Sequence, residues 1–249
     1  MAEISKTQID RLGERLKESI ISDDDLRLLD NYRRSFAEGY EITVDKIRKK
    51  LGLNPTGRPA KSTASIIDKL RRESIRLTQM QDIAGCRIVV PDITRQDHVV
   101  TIIKDYFDNV RVVDRRENPS YGYRAVHLII KCSGKIIEVQ VRTSLQHLWA
   151  EISEKISDKD PMVKYGGGNK KIVAFLDRLS KLFYNTDLNE YKAAALTLEN
   201  NLPQELRRGF EEYHAKAISL KEQAVELCTE IRVELEKDTG GLNDFLDSI

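Results

Sequence analysis

Two consecutive stretches, RAVHLIIKC (124–132) and KIIEVQVRT (135–143), decide the fold of this chain. Both are short and rich in β-branched residues, as strands are. They are separated by Ser133-Gly134, a residue pair that is typical of a tight turn. The two stretches therefore predict two neighbouring strands joined as a β-hairpin.

Further strands are predicted upstream of the hairpin. CRIVVP (86–91) and VRVVD (110–114) are short apolar runs bounded by polar or turn-forming residues, and a helix of about 95–107 is expected between them. A strand, a helix, a strand and a hairpin predict the α/β (α+β) class, with a mixed sheet of about five strands and flanking helices.

Helical patterns lie on both sides of these strands. An apolar stripe at steps of three and four runs from 29 to 51, and the loop LGLNPTGRPA (51–60) follows before a helix that Ser62 or Thr63 can cap. Near the other end, a heptad-like series predicts one long helix. Its members are Leu206, Phe210, Tyr213, Ala217, Leu220, Ala224, Leu227, Ile231 and Leu235. This seam is expected to pack against the stripe at 29–51 or to mediate self-association.

The total charge hides two regions of opposite sign. The 249 residues include 41 Lys and Arg against 40 Asp and Glu, a net charge of +1, which argues against general nucleic-acid binding. Yet residues 46–76 hold ten basic and two acidic residues (10 − 2 = +8), and residues 187–247 hold seven basic and fourteen acidic ones (7 − 14 = −7). The basic region remains a candidate for a local polyanion site.

Other classes of protein are disfavoured by composition. The three cysteines (Cys86, Cys132 and Cys228) are odd in number and widely spaced, which argues against a disulfide framework and a zinc site. No apolar run approaches the ~20 residues of a membrane span. We therefore expect a cytoplasmic protein with no membrane partner.

Polar residues on the predicted hairpin are the first candidates for chemistry. Because side chains alternate along a strand, Glu138, Gln140 and Arg142 share one face. Tyr123 and His127 likewise point the same way on the preceding strand. A solvated sheet face and a structural histidine are the alternative interpretations of these patterns.

Asp82 supplies a second carboxylate, immediately before a predicted strand. Together with Glu138 it would suit Mg²⁺, which takes few protein carboxylates and completes its shell with phosphate oxygens and water. The alternative interpretation is a turn-forming aspartate.

The basic segment has an internal order. Lys61, Ser65, Lys69 and Arg72 fall at steps of four, four and three, which places them on one helical face suited to a nucleotide triphosphate. A solvated charged face is the alternative. The sequence has neither GxxxxGK[ST] nor GxGxxG, so side chains rather than a glycine-rich backbone would hold the phosphates.

Four blocks in this order and spacing resemble the synthetase domain of RelA/SpoT alarmone synthetases. They are KSTASIIDKLRR (61–72), QDIAGCRIVV (81–90), YGYRAVHL (121–128) and IIEVQVRT (136–143). The resemblance implies a nucleotidyltransferase-like synthetase core at 57–160, between N-terminal helices (1–56) and a C-terminal helical extension (161–249), as in the small single-domain members.

The resemblance also implies an activity and a role for each matching residue. The family transfers the β,γ-pyrophosphate of ATP to the 3′-hydroxyl of GDP or GTP, giving (p)ppGpp. By position, Arg58, Lys61, Ser65, Lys69 and Arg72 would hold the ATP phosphates and Arg87 would contact the adenine. Asp82 and Glu138 would be the catalytic pair that binds Mg²⁺, with Glu138 also the base. Tyr123 would stack on the acceptor guanine, and His127 and Gln140 would line that site.

Two departures from the family pattern leave the acceptor open. Pro59 stands where members usually carry an arginine, for which Arg58 is the nearest substitute. RRENPSYGYR (115–124) lacks the usual lysine that helps to hold acceptor phosphates. The toxic small alarmone synthetases, which modify the 3′-CCA end of tRNA or an adenosine nucleotide, are therefore an alternative, with an antitoxin as a possible partner. A catalytically silent nucleotide- or RNA-binding regulator is another, and a homo-oligomer through the terminal helices stays open.

Overall fold

The computed structural model describes residues 5–197 and 204–237. Its strands are β1 (Thr56–Arg58), β2 (Ala84–Val90), β3 (Arg111–Asp114), β4 (Val126–Cys132) and β5 (Lys135–Thr143). They form one mixed sheet in the order β1-β2-β5-β4-β3, and β4 and β5 are joined through Ser133-Gly134. The predicted α+β class and the predicted hairpin are confirmed.

Helices flank the strands in the sequence, as the apolar periodicity predicts. They are α1 (Lys6–Arg15), α2 (Asp23–Arg34), α3 (Ala37–Leu51), α4 (Thr63–Arg72), α5 (Ile93–Tyr106), α6 (Ser144–Lys159), α7 (Lys170–Thr197) and α8 (Gln204–Lys237), with short 3-10 turns at Leu77–Gln79 and Val163–Tyr165. The stripe at 29–51 is divided between α2 and α3, because the chain leaves the helix at Ser35 and Phe36.

The chain clusters into two compact units, each assembled from separate stretches of sequence. The described residues of the first unit are 5–88, 99–113 and 127–141, and those of the second are 89–98, 114–126, 142–197 and 204–237. The boundaries at 56/57 and 160/161 stay a prediction.

The first unit contains most of the sheet and the helices that precede it. Its core is built from fully buried apolar side chains of α1, α2, α4 and the neighbouring sheet, among them Leu12, Leu29, Ile66 and Ile137. Helix α3 packs so closely on β4 that a Cβ at Gly39 would lie 2.8 Å from the carbonyl oxygen of Cys132. Burial of these side chains, each worth about 1.5–3 kcal/mol, fixes the helices on the sheet.

The loop predicted at 51–60 contains the edge strand β1, which is a correction. Strand β1 pairs antiparallel with β2, with Thr56 opposite Arg87 and Arg58 opposite Gly85. The strands approach so closely that a Cβ on Gly57 would lie 2.3 Å from the Gly85 carbonyl oxygen. Since Gly57 has no side chain, the local sequence carries no strand signal, and the pairing partner is remote in sequence.

The second unit is dominated by α6, α7 and α8. Thr143 caps α6, because its side chain accepts a hydrogen bond from the Gln146 amide at 3.2 Å. Helix α8 packs on α6 and α7. Lys221 of α8 is buried and donates a 2.6 Å hydrogen bond to Glu190 of α7.

Several residues of the predicted seam cannot be placed. The side chains of Leu206, Phe210, Leu220, Leu227, Ile231 and Leu235 lie outside the described part of the chain, as does that of Cys228. Of the seam residues that are described, Ala217 is buried and Tyr213 is exposed. Cys86 and Cys132 are free thiols. Within residues 5–197 and 204–237, no helix has the combination of length and hydropathy that crossing a bilayer requires.

Two helical glycines give a matched test of the α3–sheet contact. We expect Gly39→Ala to destabilise the fold by about 1–3 kcal/mol, since the added methyl group overpacks against Cys132. Gly209→Ala in α8 meets no atom within 4 Å and should instead stabilise by about 0.5–1 kcal/mol through helix propensity. Urea unfolding followed by circular dichroism measures both changes. Equal effects of the two substitutions would contradict the close contact at Gly39.

Candidate functional site

The Asp82 carboxylate is held between two lysine side chains in the first unit. Lys61 Nζ lies 2.8 Å from Oδ2 and Lys69 Nζ lies 2.9 Å from Oδ1. All three side chains are mostly buried, with exposures of 16–23%. Burial alone would raise the pKa of Asp82, but the two ammonium groups outweigh it and lower that pKa to about 2. Asp82 is therefore a stable anion at a site of concentrated positive charge.

The two lysines reach Asp82 from different backbone elements. Lys69 projects from α4, whereas Lys61 precedes the helix and donates its backbone N–H to the carbonyl oxygen of Ile83. The prediction that Lys61 lies on the same helical face is thus wrong, because Ser62 is the N-cap residue. The two ammonium groups nevertheless converge on one carboxylate.

The other predicted members of the basic row are less closely involved. Ser65 lies in the first turn of α4, and its hydroxyl accepts a 2.7 Å hydrogen bond from Ser62. Arg72 lies at the other end of α4, and its guanidinium is 3.1 Å from the Glu73 carboxylate. The structure brings Lys61 and Lys69 together at Asp82, while the phosphate-binding roles of Ser65 and Arg72 stay predictions.

Sequence reasoning did not find Arg33, which supports the segment around Lys61. Its Nε donates a 2.7 Å hydrogen bond to the Lys61 carbonyl oxygen, and its Nη1 lies 3.2 Å from the Thr63 hydroxyl. Arg33 belongs to α2, and its spacing from Lys61 follows no local pattern. The contact is created by tertiary packing alone.

Glu138 is a buried carboxylate whose two oxygens are both engaged. Oε1 lies 2.8 Å from His127 Nδ1, and Oε2 accepts a 2.8 Å hydrogen bond from Gln140 Nε2. Burial and the charge of Asp82 act to raise the pKa of Glu138, whereas His127 and Gln140 lower it, and the net direction is downward. Glu138 is therefore ionised at neutral pH, and its orientation is fixed by two neighbours.

The close packing of β2 on β5 brings the segments that carry Asp82 and Glu138 together. A Cβ on Gly85 would lie 2.6 Å from the Glu138 carbonyl oxygen, so β2 can approach β5 this closely only with glycine. Asp82 lies just before β2, and its charge is felt at Glu138.

This donor set fits a magnesium ion only in part. Mg²⁺ is commonly held by one or two carboxylates and completes its octahedron with substrate phosphates and water. Asp82 and Glu138 supply that number of carboxylates, and the lysines show that positive charge is favoured beside Asp82. Among the described residues no cluster of three or more His, Cys, Asp and Glu side chains offers a complete metal site. The pair would therefore hold Mg²⁺ only together with the phosphate oxygens of a nucleotide.

The two arginines predicted for the donor nucleotide lie on adjacent strands. Arg87 of β2 donates a 3.2 Å hydrogen bond from Nε to the Thr56 hydroxyl, and Arg58 of β1 is exposed. Because Arg58 stands opposite Gly85 in the register, it shares one sheet face with Arg87. The structure therefore places the two guanidinium groups on a common face.

The predicted acceptor tyrosine belongs to the second unit. Arg142 at the end of β5 lies over the Tyr123 ring at 5.1 Å from its centroid, and its Nη2 donates a 3.1 Å hydrogen bond to the Tyr123 hydroxyl. Arg142 is buried, so the ring is held by a fixed cation. The strand alternation predicted that Tyr123 and Arg142 could line one sheet face, and the two side chains are in contact.

Comparisons with known proteins show what this chain is similar to in sequence and in fold. Residues 57–162 match the family model described as a region found in RelA/SpoT proteins. An uncharacterized protein of Mycobacterium tuberculosis is 39% identical over 103 residues, which cover 40% of this chain and 38% of that protein. GTP pyrophosphokinase YjbM of Bacillus subtilis is 36% identical over 145 residues, which cover 51% of this chain and 64% of that protein. The chain thus spans less than two thirds of either relative.

A solved structure extends the likeness beyond the matched region. Small alarmone synthetase 1 from Bacillus subtilis, bound to its product pppGpp, has a TM-score of 0.52 and 26% identity, and the match covers 70% of this chain and 98% of that one. Residues 57–162 of this chain therefore resemble the RelA/SpoT region, and the fold is similar to that of a small alarmone synthetase.

Proposed function

We propose that this chain is a pyrophosphokinase that transfers the β,γ-pyrophosphate of ATP to the 3′-hydroxyl of GDP or GTP. The observation that carries this proposal is the Asp82 carboxylate between Lys61 and Lys69, with the ionised Glu138 nearby. The names of the Bacillus relatives, a GTP pyrophosphokinase and a synthetase with pppGpp bound, support the same reaction.

On the donor side, Lys61 and Lys69 would bind the triphosphate of ATP. Their ammonium groups already lie within 3 Å of carboxylate oxygens. The phosphate oxygens of a triphosphate are also anionic hydrogen-bond acceptors, and they carry more negative charge in total. Asp82 and Glu138 would hold Mg²⁺, which neutralises charge on the phosphate oxygens when bound. Arg87 would contact the adenine, and Arg58, on the same sheet face, would take the place of the phosphate-binding arginine that Pro59 replaces.

On the acceptor side, Glu138 would take the proton of the attacking hydroxyl. The 3′-oxygen forms a bond to the β-phosphorus, the bond from that phosphorus to the α–β bridging oxygen breaks, and AMP leaves. The proton passes to Glu138, whose carboxylate is held in position by His127 and Gln140. Positioning and charge neutralisation account for most of the catalysis in transfers of this kind.

The acceptor itself is the least constrained part of the proposal. Tyr123 would stack on the acceptor base while Arg142 holds the ring. The segment 115–124 lacks the lysine that the family pattern places there, so the 3′ end of a tRNA or an adenosine nucleotide is the second candidate acceptor.

Transfer of label from ATP identifies the reaction. We expect γ-labelled ATP to pass its label to GDP or GTP, with one AMP released per event. Parallel reactions with ATP alone and with deacylated tRNA test the second candidate. Label found only on tRNA would overturn the guanosine acceptor, and ATP binding without transfer to any acceptor would identify a silent regulator.

Glu138→Gln separates the proton acceptor from donor binding. The amide keeps the size of the side chain but cannot take a proton, so we expect turnover to fall at least a hundredfold, the lower end of the ~10²–10⁴ range of general-base contributions. ATP affinity, measured by equilibrium dialysis, should change little. Glu154→Gln on the exposed surface of α6 is the charge-matched control. Unchanged turnover in Glu138→Gln would remove Glu138 from the mechanism.

Lys69→Ala tests the phosphate role of the lysine pair. The loss of a charge-assisted contact worth about 1.5–3 kcal/mol should raise the KM for ATP by about ten- to a hundredfold. The KM for the acceptor should stay near the wild-type value. Lys104→Ala, at an exposed position of α5, removes the same charge elsewhere in the first unit. Equal KM values for ATP in the two variants would return Lys69 to a structural role.

A further inference from the structure

A tight turn carries Tyr121 in the second unit. Ser120 and Tyr123 form an antiparallel bridge, in which each backbone N–H donates to the carbonyl oxygen of the other at 3.2 and 3.0 Å. The two residues between them, Tyr121 and Gly122, both have positive φ, 52° and 87°. Two central residues with positive φ are typical of a type I′ turn.

Tyrosine is an unfavourable residue at this position. The first central residue of such a turn is normally Asn, Asp or Gly, because other side chains are strained in the left-handed region. Tyr121 is also 61% exposed, so burial of the ring does not compensate for that strain. Strain that the fold does not need is found mainly at functional sites.

The Tyr121 ring packs against the backbone of Gly166 in spite of its exposure. A Cβ on Gly166 would lie 2.6 and 2.8 Å from the Cδ1 and Cε1 atoms of the ring, so the ring lies directly against the Gly166 backbone. Gly166 itself has a φ of 75° and ends the 3-10 turn Val163–Tyr165. The ring is thus supported by backbone where a side chain would displace it.

The turn is also held in place by Trp149 and Ser180, which contact Gly122. A Cβ on Gly122 would lie 2.7 Å from Cζ2 of Trp149, and the Gly122 carbonyl oxygen accepts a hydrogen bond from Ser180 at 2.5 Å. Trp149 in turn donates a 2.8 Å hydrogen bond from Nε1 to the Leu176 carbonyl oxygen. A rigid base of this kind holds an exposed aromatic ring in one orientation at low entropic cost.

We propose that Tyr121 is a second nucleobase-stacking surface beside Tyr123. An aromatic ring that is supported on one side and exposed to solvent is what stacking on a base requires, and each stacked base contributes about 1–3 kcal/mol. The inference rests on the proposed function, since it takes Tyr123 as the residue that meets the acceptor base. The stacked base belongs either to the accepting nucleotide itself or to its neighbour at an RNA 3′ end.

Tyr121→Asn is the decisive variant, because it removes the ring and supplies a residue that the turn prefers. We expect the KM for the acceptor to rise about tenfold, within the range that one stacked base provides, while the KM for ATP stays unchanged. The melting temperature should stay equal or rise, since asparagine relieves the strain. Tyr121→Phe, which keeps the ring, should restore most of the acceptor affinity, and Tyr213→Ala controls for the loss of an exposed tyrosine.

Binding measurements keep the inference independent of turnover. Trp149 is the sole tryptophan and lies under the turn, so its fluorescence reports ligands that bind there. Titrations with GDP and with a synthetic RNA ending in CCA distinguish the two sources of the base. Weaker binding of both ligands to Tyr121→Asn indicates the accepting base, and weaker binding of the RNA alone indicates its neighbour.

Two results would overturn the role of Tyr121. One is unchanged affinity for both ligands in Tyr121→Asn, which together with a fall in melting temperature would show a structural ring, and the other is an equal loss of affinity in Tyr213→Ala. Absence of any pyrophosphate transfer by the wild-type protein would refute the proposed function alone, because the titrations would still decide whether Tyr121 binds a base.

Discussion

The charge cluster of Asp82, Lys61 and Lys69 is the constraint on which the donor side of the site depends. It ties together the segment before α4, the helix itself and the loop that leads into β2. An exposed ion pair is worth little, but these three groups are largely withdrawn from water, where two cations on one carboxylate interact strongly. The same contacts keep the ammonium groups of Lys61 and Lys69 close together. Without Asp82 these two groups would repel each other. Under the proposed function, a phosphate chain would compete with the carboxylate for this preformed pair of cations.

As the proposed general base, Glu138 would combine two properties that oppose each other. Its bonds to His127 and Gln140 fix both oxygens, yet they also lower its pKa and so weaken it as a proton acceptor. The conflict is reduced because the hydroxyl proton becomes acidic only as its oxygen bonds to phosphorus. A weak but ionised and well-oriented carboxylate suits such a late proton transfer. The burial of Glu138 and the nearby charge of Asp82 act in the opposite direction and limit how far its pKa falls.

Local patterns predicted what local interactions determine. The alternation along β5 placed Glu138 and Gln140 on one face, and their side chains are in contact. Ser62 caps α4, as the sequence predicted. The predicted turn of the hairpin is at Ser133-Gly134. The failures involve partners that are remote in sequence. Strand β1 forms because Gly57 permits a close approach to Gly85, and Arg33 of α2 reaches the Lys61 carbonyl oxygen. No local pattern indicates a role for Tyr121, since its contact with Gly166 exists only in the folded chain.

The basic segment illustrates why a sum of charges is a poor guide to a binding surface. Arg71 donates to the carbonyl oxygens of Lys17 and Glu18, and Arg48 lies 3.0 Å from the Asp45 carboxylate. Lys46 and Lys50 lie over the ring of Tyr106. Much of the +8 excess is thus divided among separate structural partners and does not form one continuous patch for a nucleic-acid backbone. The two lysines that converge on Asp82 are few in number, but both ammonium groups lie within 3 Å of the same carboxylate. Under the proposed function, this local pair of charges would suit a compact triphosphate better than a long polyanion, and selectivity for an RNA end would rest on the turn that carries Tyr121.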